Sequence, residues 1–159
     1  MSYQAVILTV SDSCAAGTRT DTSGPAIRAM LENAGFAVQA MQTVPDEEGQ
    51  ISAAIVHACD ILQADLVVTT GGTGLSPRDV TPEATFAVLD REIRAIPVAM
   101  WVEGLKSTPR AMLSRAVAGI RGHTLVLNVP GSEKAARENL GAVVATLDHA
   151  LRMLAGGGH

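Results

Sequence analysis

Apolar positions along the chain alternate between short unbroken runs and longer stretches with helical spacing. Gln4 to Val10 (QAVILTV) is the first unbroken run, the mark of a strand buried on both faces. It gives way to Ser11-Asp12-Ser13 and a loop, Cys14 to Ser23, rich in Gly, Thr, Asp and Arg. Pro25 opens a helix to about Asn33, with Ala26, Ile27, Met30 and Leu31 on one face and Gly35 as its stop. Phe36 to Val44 predicts a second strand, interrupted by Gln39 and Gln42. Pro45-Asp46-Glu47-Glu48 opens a helix whose apolar positions include Ile51, Ala54, Ile55, Ala58, Ile61 and Leu62, and Asp65 to Thr70 predicts a third strand.

The pattern after that strand organises the chain. Leu66 to Thr70 breaks into Gly71-Gly72-Thr73-Gly74, passes a polar loop ending near Asp79, and enters a helix from Pro82 to about Asp90. Thr81 suits an N-cap, Pro82 the first helical position, and Glu83 complements the helix dipole. The segment from Ile96 to Gly122 predicts two helices broken near Ser107-Thr108-Pro109. Thr124 to Val129 (TLVLNV) predicts a fourth strand ending in Pro130-Gly131-Ser132. A long helix follows from about Glu133 to Leu154, capped by Ser132, with residues 156–159 expected as a disordered tail.

This strand–helix alternation predicts an α/β fold: one domain, residues 1–155, with a mostly parallel sheet, helices on both faces and right-handed crossovers. No repeat, linker or second domain is read. In such sheets ligands bind beyond the carboxyl ends of the strands. Ser11-Asp12, Pro45-Asp46, Gly71 to Asp79 and Asn128 to Ser132 are therefore expected at one edge.

Composition narrows the picture. Apolar residues make up 47% of the 159 but only four are aromatic, which favours an α/β core over an aromatic-packed sandwich. A formal charge of −4 without a Lys/Arg cluster argues against nucleic acid. No signal-like segment and no apolar run of membrane length are read, and Cys14 and Cys59 lie far apart without metal spacing, so a cytoplasmic protein with free thiols is expected. Cys59, His57 and His149 fall in helical patterns and read as structural.

Three strand exits carry carboxylates (Asp12, Asp46, Asp79) and two carry glycines that let backbone approach a ligand closely. A carboxylate beside phosphate is repulsive unless a cation lies between them, and Mg²⁺ is the natural bridge. The combination points to a nucleoside triphosphate with a metal, in phosphoryl or nucleotidyl transfer. The glycine run matches neither G-x-x-x-x-G-K-[ST] nor G-x-G-x-x-G. Each residue also has a plainer reading. Gly71 to Gly74 suits a tight turn, Asp46 a helix N-cap, Asp12 an Asx-turn, and Asp79 a surface ion pair with Arg78. Trp101 reads either as helix core or as a subunit-interface anchor.

The stretch Thr69-Thr70-Gly71-Gly72-Thr73-Gly74-Leu75-Ser76-Pro77-Arg78-Asp79-Val80-Thr81-Pro82-Glu83-Ala84-Thr85 resembles the signature of the MogA/MoaB molybdenum-cofactor biosynthesis family, which includes the G domains of gephyrin and of its plant counterpart. The likeness continues through Thr9-Val10-Ser11-Asp12, Val44-Pro45-Asp46-Glu47, Thr108 to Ala116, Ala118 to Gly122 and Asn128-Val129-Pro130-Gly131. It implies a three-layer α/β/α sandwich, a homotrimer, and molybdopterin adenylyltransferase activity with Mg²⁺, ATP and molybdopterin. The alternatives it leaves are a non-catalytic molybdopterin-binding paralogue and an oligomeric scaffold. It further implies transient contact with the pathway's metal-insertion enzyme. By position, Asp46 and Asp79 correspond to the family's essential aspartates, serving metal and triphosphate. Gly71, Gly72, Thr73 and Gly74 match the phosphate loop, while Ser11, Asp12, Ser114, Asn128, Pro130, Gly131 and Ser132 match positions lining the nucleotide or pterin pocket.

Overall fold

The structure, a computed structural model, describes residues 2–158. Its strands are β1 (Gln4–Val10), β2 (Ala37–Val44), β3 (Leu66–Thr70), β4 (Arg91–Glu92), β5 (Ala118–Arg121) and β6 (Thr124–Val129). The helices are α1 (Asp12–Ala15), α2 (Ser23–Asn33), α3 (Glu48–Val56), α4 (Thr81–Phe86), α5 (Ala95–Leu105) and α6 (Glu133–Leu154). One six-stranded sheet has the order β2-β1-β3-β6-β5-β4. Strands β2, β1, β3 and β6 run parallel, whereas β5 and β4 are antiparallel additions.

Every residue of β3 and β6 is buried, which is why both read as continuous apolar runs. Successive side chains leave for opposite faces. Ile7, Val68 and Leu127 pack with Ile27, Leu31, Leu140 and Leu147 from α2 and α6, and with Met100 from α5. Leu8, Val67 and Val126 pack on the other face with Ile51, Ile55 and Ala84 from α3 and α4. The result is the expected three-layer arrangement. Strand β2 lies at an edge and is largely exposed, which explains its two glutamines.

The chain departs from the expected pattern in three places. Helix α4 stops at Phe86 rather than near Asp90, because the Val88 and Leu89 amides turn back onto Thr85 and Phe86 and the Asp90 amide joins the sheet at Ile120. Only one full helix, α5, forms between Ile96 and Gly122. The second expected helix is a 3₁₀ turn, Pro109–Leu113, followed by β5. Gly119 permits that strand, since a Cβ there would strike the Arg91 carbonyl of β4. Helix α3 runs on into a π-helical turn, His57–Ile61, before Gln63 takes φ 52°.

The caps differ from expectation as well. Ser132 caps α6, its Oγ accepting from the Ala135 amide at 3.3 Å. Thr81 begins α4 instead of capping it, and its Oγ1 donates to the Gly71 carbonyl at 2.9 Å. Asp46 does not cap α3: Glu47 holds that position without a side-chain bond. At the far end of α6, Gly156 at φ 85° closes the last turn, with its amide on the Met153 carbonyl. His159 lies outside the described residues.

Asn128 is fully buried and locks four elements together. Its Oδ1 accepts from the Val117 amide at 3.0 Å, and its Nδ2 donates to Thr69 Oγ1 at 2.8 Å and Thr85 Oγ1 at 3.0 Å. Truncation strands the Val117 amide beside a small void. Asn128→Ala is expected to lower stability by about 2–4 kcal/mol, read as a reduced urea midpoint with an unchanged slope.

Candidate active site

The parallel strands deliver their carboxyl ends to one edge, where a cavity of about 650 Å³ opens. Its floor is the turn after β3. Gly71 (φ 101°) and Gly72 (φ 69°) adopt left-handed backbone that only glycine takes without strain. Gly71 must also lack a side chain because a Cβ would strike the Val10 carbonyl of β1. A Cβ on Gly131, in the β6 exit, would lie 3.1 Å from the Gly71 Cα, so three strand ends meet here backbone to backbone.

The turn is fixed from outside by side chains. Thr70 Oγ1 donates to the Pro130 carbonyl at 2.8 Å. Arg115 grips both ends of the loop, with Nε on the Gly74 carbonyl at 2.8 Å and Nη2 on the Asp79 carbonyl at 2.7 Å. Its Nη1 meets Glu83. With carbonyls so occupied, the amides of Gly72, Thr73 and Gly74 are left without acceptors among the described residues. The amides of Gly131 and Ser132, at the start of α6, are likewise free. Unpaired amides from a glycine turn and a helix N-terminus on one cavity are donors of the kind that anionic oxygens take.

Asp46 and Asp79 both line this cavity, one from the exit of β2 and one from the loop after β3. Asp46 Oδ2 accepts from the Asp12 amide at 2.9 Å, and Asp79 Oδ2 from the Ser76 amide at 3.0 Å. The second oxygen of each accepts no hydrogen bond among the described residues. Burial pushes the Asp46 carboxyl above its ordinary value, and the nearby Asp12 and Asp79 charges add to this, against the opposing Asp12 amide. Two carboxylates with one free oxygen each are the donor set Mg²⁺ takes when phosphate oxygens and waters complete its shell. No group of three or more His, Cys, Asp or Glu that could cage a metal exists among the described residues.

Of the other residues singled out in the sequence, Ser11, Gly71, Gly72, Thr73, Gly74, Ser114, Pro130, Gly131 and Ser132 line the cavity. Asn128 does not, being sealed in the lock described above. Asp12 does not either. Its carboxylate faces away, accepting from Arg78 Nε at 3.1 Å, from Arg78 Nη2 at 3.0 Å and from the Asp46 amide at 2.9 Å. The Arg78 guanidinium holds the Asp12 carboxyl below the usual range. Arg78 therefore pairs with Asp12, not with its neighbour Asp79.

Several cavity residues are not singled out as site residues in the sequence, although Arg110 falls within the Thr108 to Ala116 block of the family likeness. Arg19 and Arg110 bring cations that make no salt bridge among the described residues. Asp21 accepts from Thr9 Oγ1 at 2.7 Å and from the Gly24 amide at 3.0 Å, which shapes the loop before α2. Glu138 and Asn139 enter from α6. For the first loop the hint in the chain is its Gly-Thr-Arg-Thr-Asp composition. His57 and His149 are exposed and away from the cavity, and Cys59 is buried in the core, where burial pushes its thiol up to about 11.

Comparison with known proteins bears on this geometry. A family model described as a probable molybdopterin binding domain matches residues 6–149. A gephyrin from Dictyostelium discoideum is 42% identical over 158 residues, covering 93% of this chain, and the chain spans only 22% of that relative's length. A molybdopterin adenylyltransferase from Helicobacter pylori is 38% identical over 154 residues, covering 94% of this chain and 86% of its own. The crystal structure of the molybdopterin biosynthesis enzyme MoaB from Thermus thermophilus superposes with a TM-score of 0.92 at 49% identity over 97% of each chain. Agreement of sequence and fold through nearly the whole chain makes this protein a member of the MogA/MoaB molybdenum cofactor biosynthesis family.

Proposed function

We propose that the protein is a cytoplasmic molybdopterin adenylyltransferase, moving AMP from Mg-ATP to the terminal phosphate of molybdopterin and releasing pyrophosphate. The observation that carries this reading is the shared cavity: two carboxylates with free oxygens face it together with unpaired amides from two separate turns. The name borne by the Helicobacter pylori relative supports the same reaction.

An oxygen of the molybdopterin phosphate attacks the α-phosphorus of ATP, and the bond from that phosphorus to the bridging oxygen breaks with its electron pair leaving on pyrophosphate. A phosphate monoester with a second pKa of about 6 is mostly dianionic at neutral pH, so the nucleophile needs no side-chain base. This agrees with a cavity that histidine does not line. The protein's work is then placement and charge. The Gly72, Thr73 and Gly74 amides and the start of α6 hold phosphate oxygens. Arg19 and Arg110 draw the anionic substrates in, and the Ser11, Ser114 and Ser132 hydroxyls fix their orientation. Asp46 and Asp79 hold Mg²⁺, which when bound supplies neutralisation of the triphosphate charge.

The homotrimer implied by the family resemblance belongs to the same proposal. Val98, Val102 and Leu105 form an i, i+4, i+7 stripe on α5, exposed by 48%, 57% and 45%. Trp101 beside them keeps a buried Nε1 without a partner. A stripe of this kind is suited to a second copy. Light scattering should give a mass near three times 16.4 kDa, and Val102→Glu should lower it toward one chain.

The activity is tested by pyrophosphate release from ATP plus molybdopterin. Asp79→Asn should fold normally and lose about 100-fold or more in kcat, the scale of removing one preorganised electrostatic contact. Pterin binding without AMP transfer by the wild-type chain would instead make it a non-catalytic paralogue.

Asp46→Asn should lose turnover to a similar degree while keeping its stability. The raised carboxyl of Asp46 favours the protonated form, so its contribution is present below the ordinary Asp value of about 3.9 and is lost as pH rises through the folded value. The amide of Asn removes that loss and can still accept from the Asp12 N–H. Its melting temperature should equal or exceed wild type at pH 7, with the difference vanishing at low pH. A lower value with normal turnover would leave Asp46 a structural role alone, through its bonds with Asp12.

A further inference from the structure

We propose that Arg78 is a positioning residue, tying the Asp79 loop to Asp12 and, through Asp12, to Asp46, so that the two cavity carboxylates are held at a fixed separation. The inference rests on the reading of Asp46 and Asp79 as the metal-holding pair. Among the described residues the loop between Gly74 and Asp79 otherwise bonds only within itself: the Ser76 amide to Asp79 Oδ2, and the Asp79 amide to the Ser76 carbonyl at 2.9 Å. Arg115 clamps its two ends but reaches neither β1 nor β2. Arg78 is the one side chain of the loop that crosses to those strand exits among the described residues.

The crossing has a defined geometry. Nε and Nη2 of Arg78 address the two oxygens of Asp12, and Nη2 also reaches Glu47 Oε1 at 2.9 Å. Asp12 in turn exchanges two bonds with Asp46. Its Oδ1 accepts from the Asp46 amide and its own amide donates to Asp46 Oδ2, both at 2.9 Å. That exchange takes up one oxygen of Asp46 and leaves the other free. Asp12 is thus a hub joining three strand exits, with no face on the cavity itself. The Arg78 side chain is 54% exposed, so as a lone surface pair it would contribute little to stability. A two-pronged fork on a carboxylate fixes direction as well as distance, which a single ion pair does not. The residue therefore acts on placement more than on folding.

The test uses Arg78→Met, which keeps the stem and removes the fork, and Arg78→Lys, which keeps the charge. Three readouts are taken: amide hydrogen exchange of ligand-free protein, Mn²⁺ binding with α,β-methylene-ATP by electron paramagnetic resonance, and steady-state kinetics. Both variants should melt near wild type. In Arg78→Met the Asp12 and Asp46 amides should exchange about tenfold faster, Mn²⁺ affinity should fall about tenfold, and kcat should fall with little change in the molybdopterin KM. Arg78→Lys should recover little of this. Wild-type exchange in Arg78→Met, or faster exchange with unchanged Mn²⁺ binding, would overturn the proposal. Absence of AMP transfer by the wild-type chain would defeat the proposed reaction alone, since exchange and Mn²⁺ binding decide the role of Arg78 without turnover.

Discussion

The carboxyl ends of β1, β3 and β6 meet at Gly71, whose backbone lies so close to the Val10 carbonyl that no side chain fits between them. This close approach is what turns a parallel sheet into a site. It pulls the turn after β3 down onto β1, brings Gly131 against the Gly71 Cα, and lets the Thr81 hydroxyl close on the Gly71 carbonyl. The carbonyls of a backbone so folded are already used, and the amides of Gly72, Thr73 and Gly74 are left without acceptors among the described residues. Donors so left over suit anionic oxygens.

Charge is then distributed around that turn in two layers. Facing the cavity are Asp46 and Asp79, each with one oxygen bound by a backbone amide and one free. Behind them Arg78 joins Asp12 and Glu47, and Arg115 joins Glu83 and the loop carbonyls. The arginines behind the cavity are spent on holding the loop, while Arg19 and Arg110 on its wall make no salt bridge among the described residues. An acidic pair and free cations on one cavity suit a ligand that is anionic and carries a divalent cation with it.

The parts legible in the sequence are those where one short run carries the whole signal. β1, β3 and β6 are contiguous apolar runs because both their faces are buried, and each ends in Gly, Pro or Ser where the chain must turn. β4 and β5 were not legible. Two exposed residues, Arg91 and Glu92, have no apolar pattern, and Ala118 to Arg121 contains a glycine that only a neighbouring strand explains. A second helix is expected after the break near Ser107-Thr108-Pro109, and the chain forms only a 3₁₀ turn there, Pro109–Leu113. Asn128 shows the same boundary at one residue. Its place at a strand exit was readable, but its side chain is directed inward by the register that sets it opposite Thr69.

What the sequence determined by itself was the fold class, the edge of the sheet at which the strand exits gather, and the glycine turn with its acidic neighbours. Each of these follows from local pattern and from the rule that parallel strands end together. What only the tertiary structure decided was pairing. Arg78 lies beside Asp79 in the chain, yet its fork reaches Asp12, 66 residues away, and Asp12 and Asp46 exchange bonds across 34. Such partners are set by how strand ends converge in space, and no local spacing records that convergence.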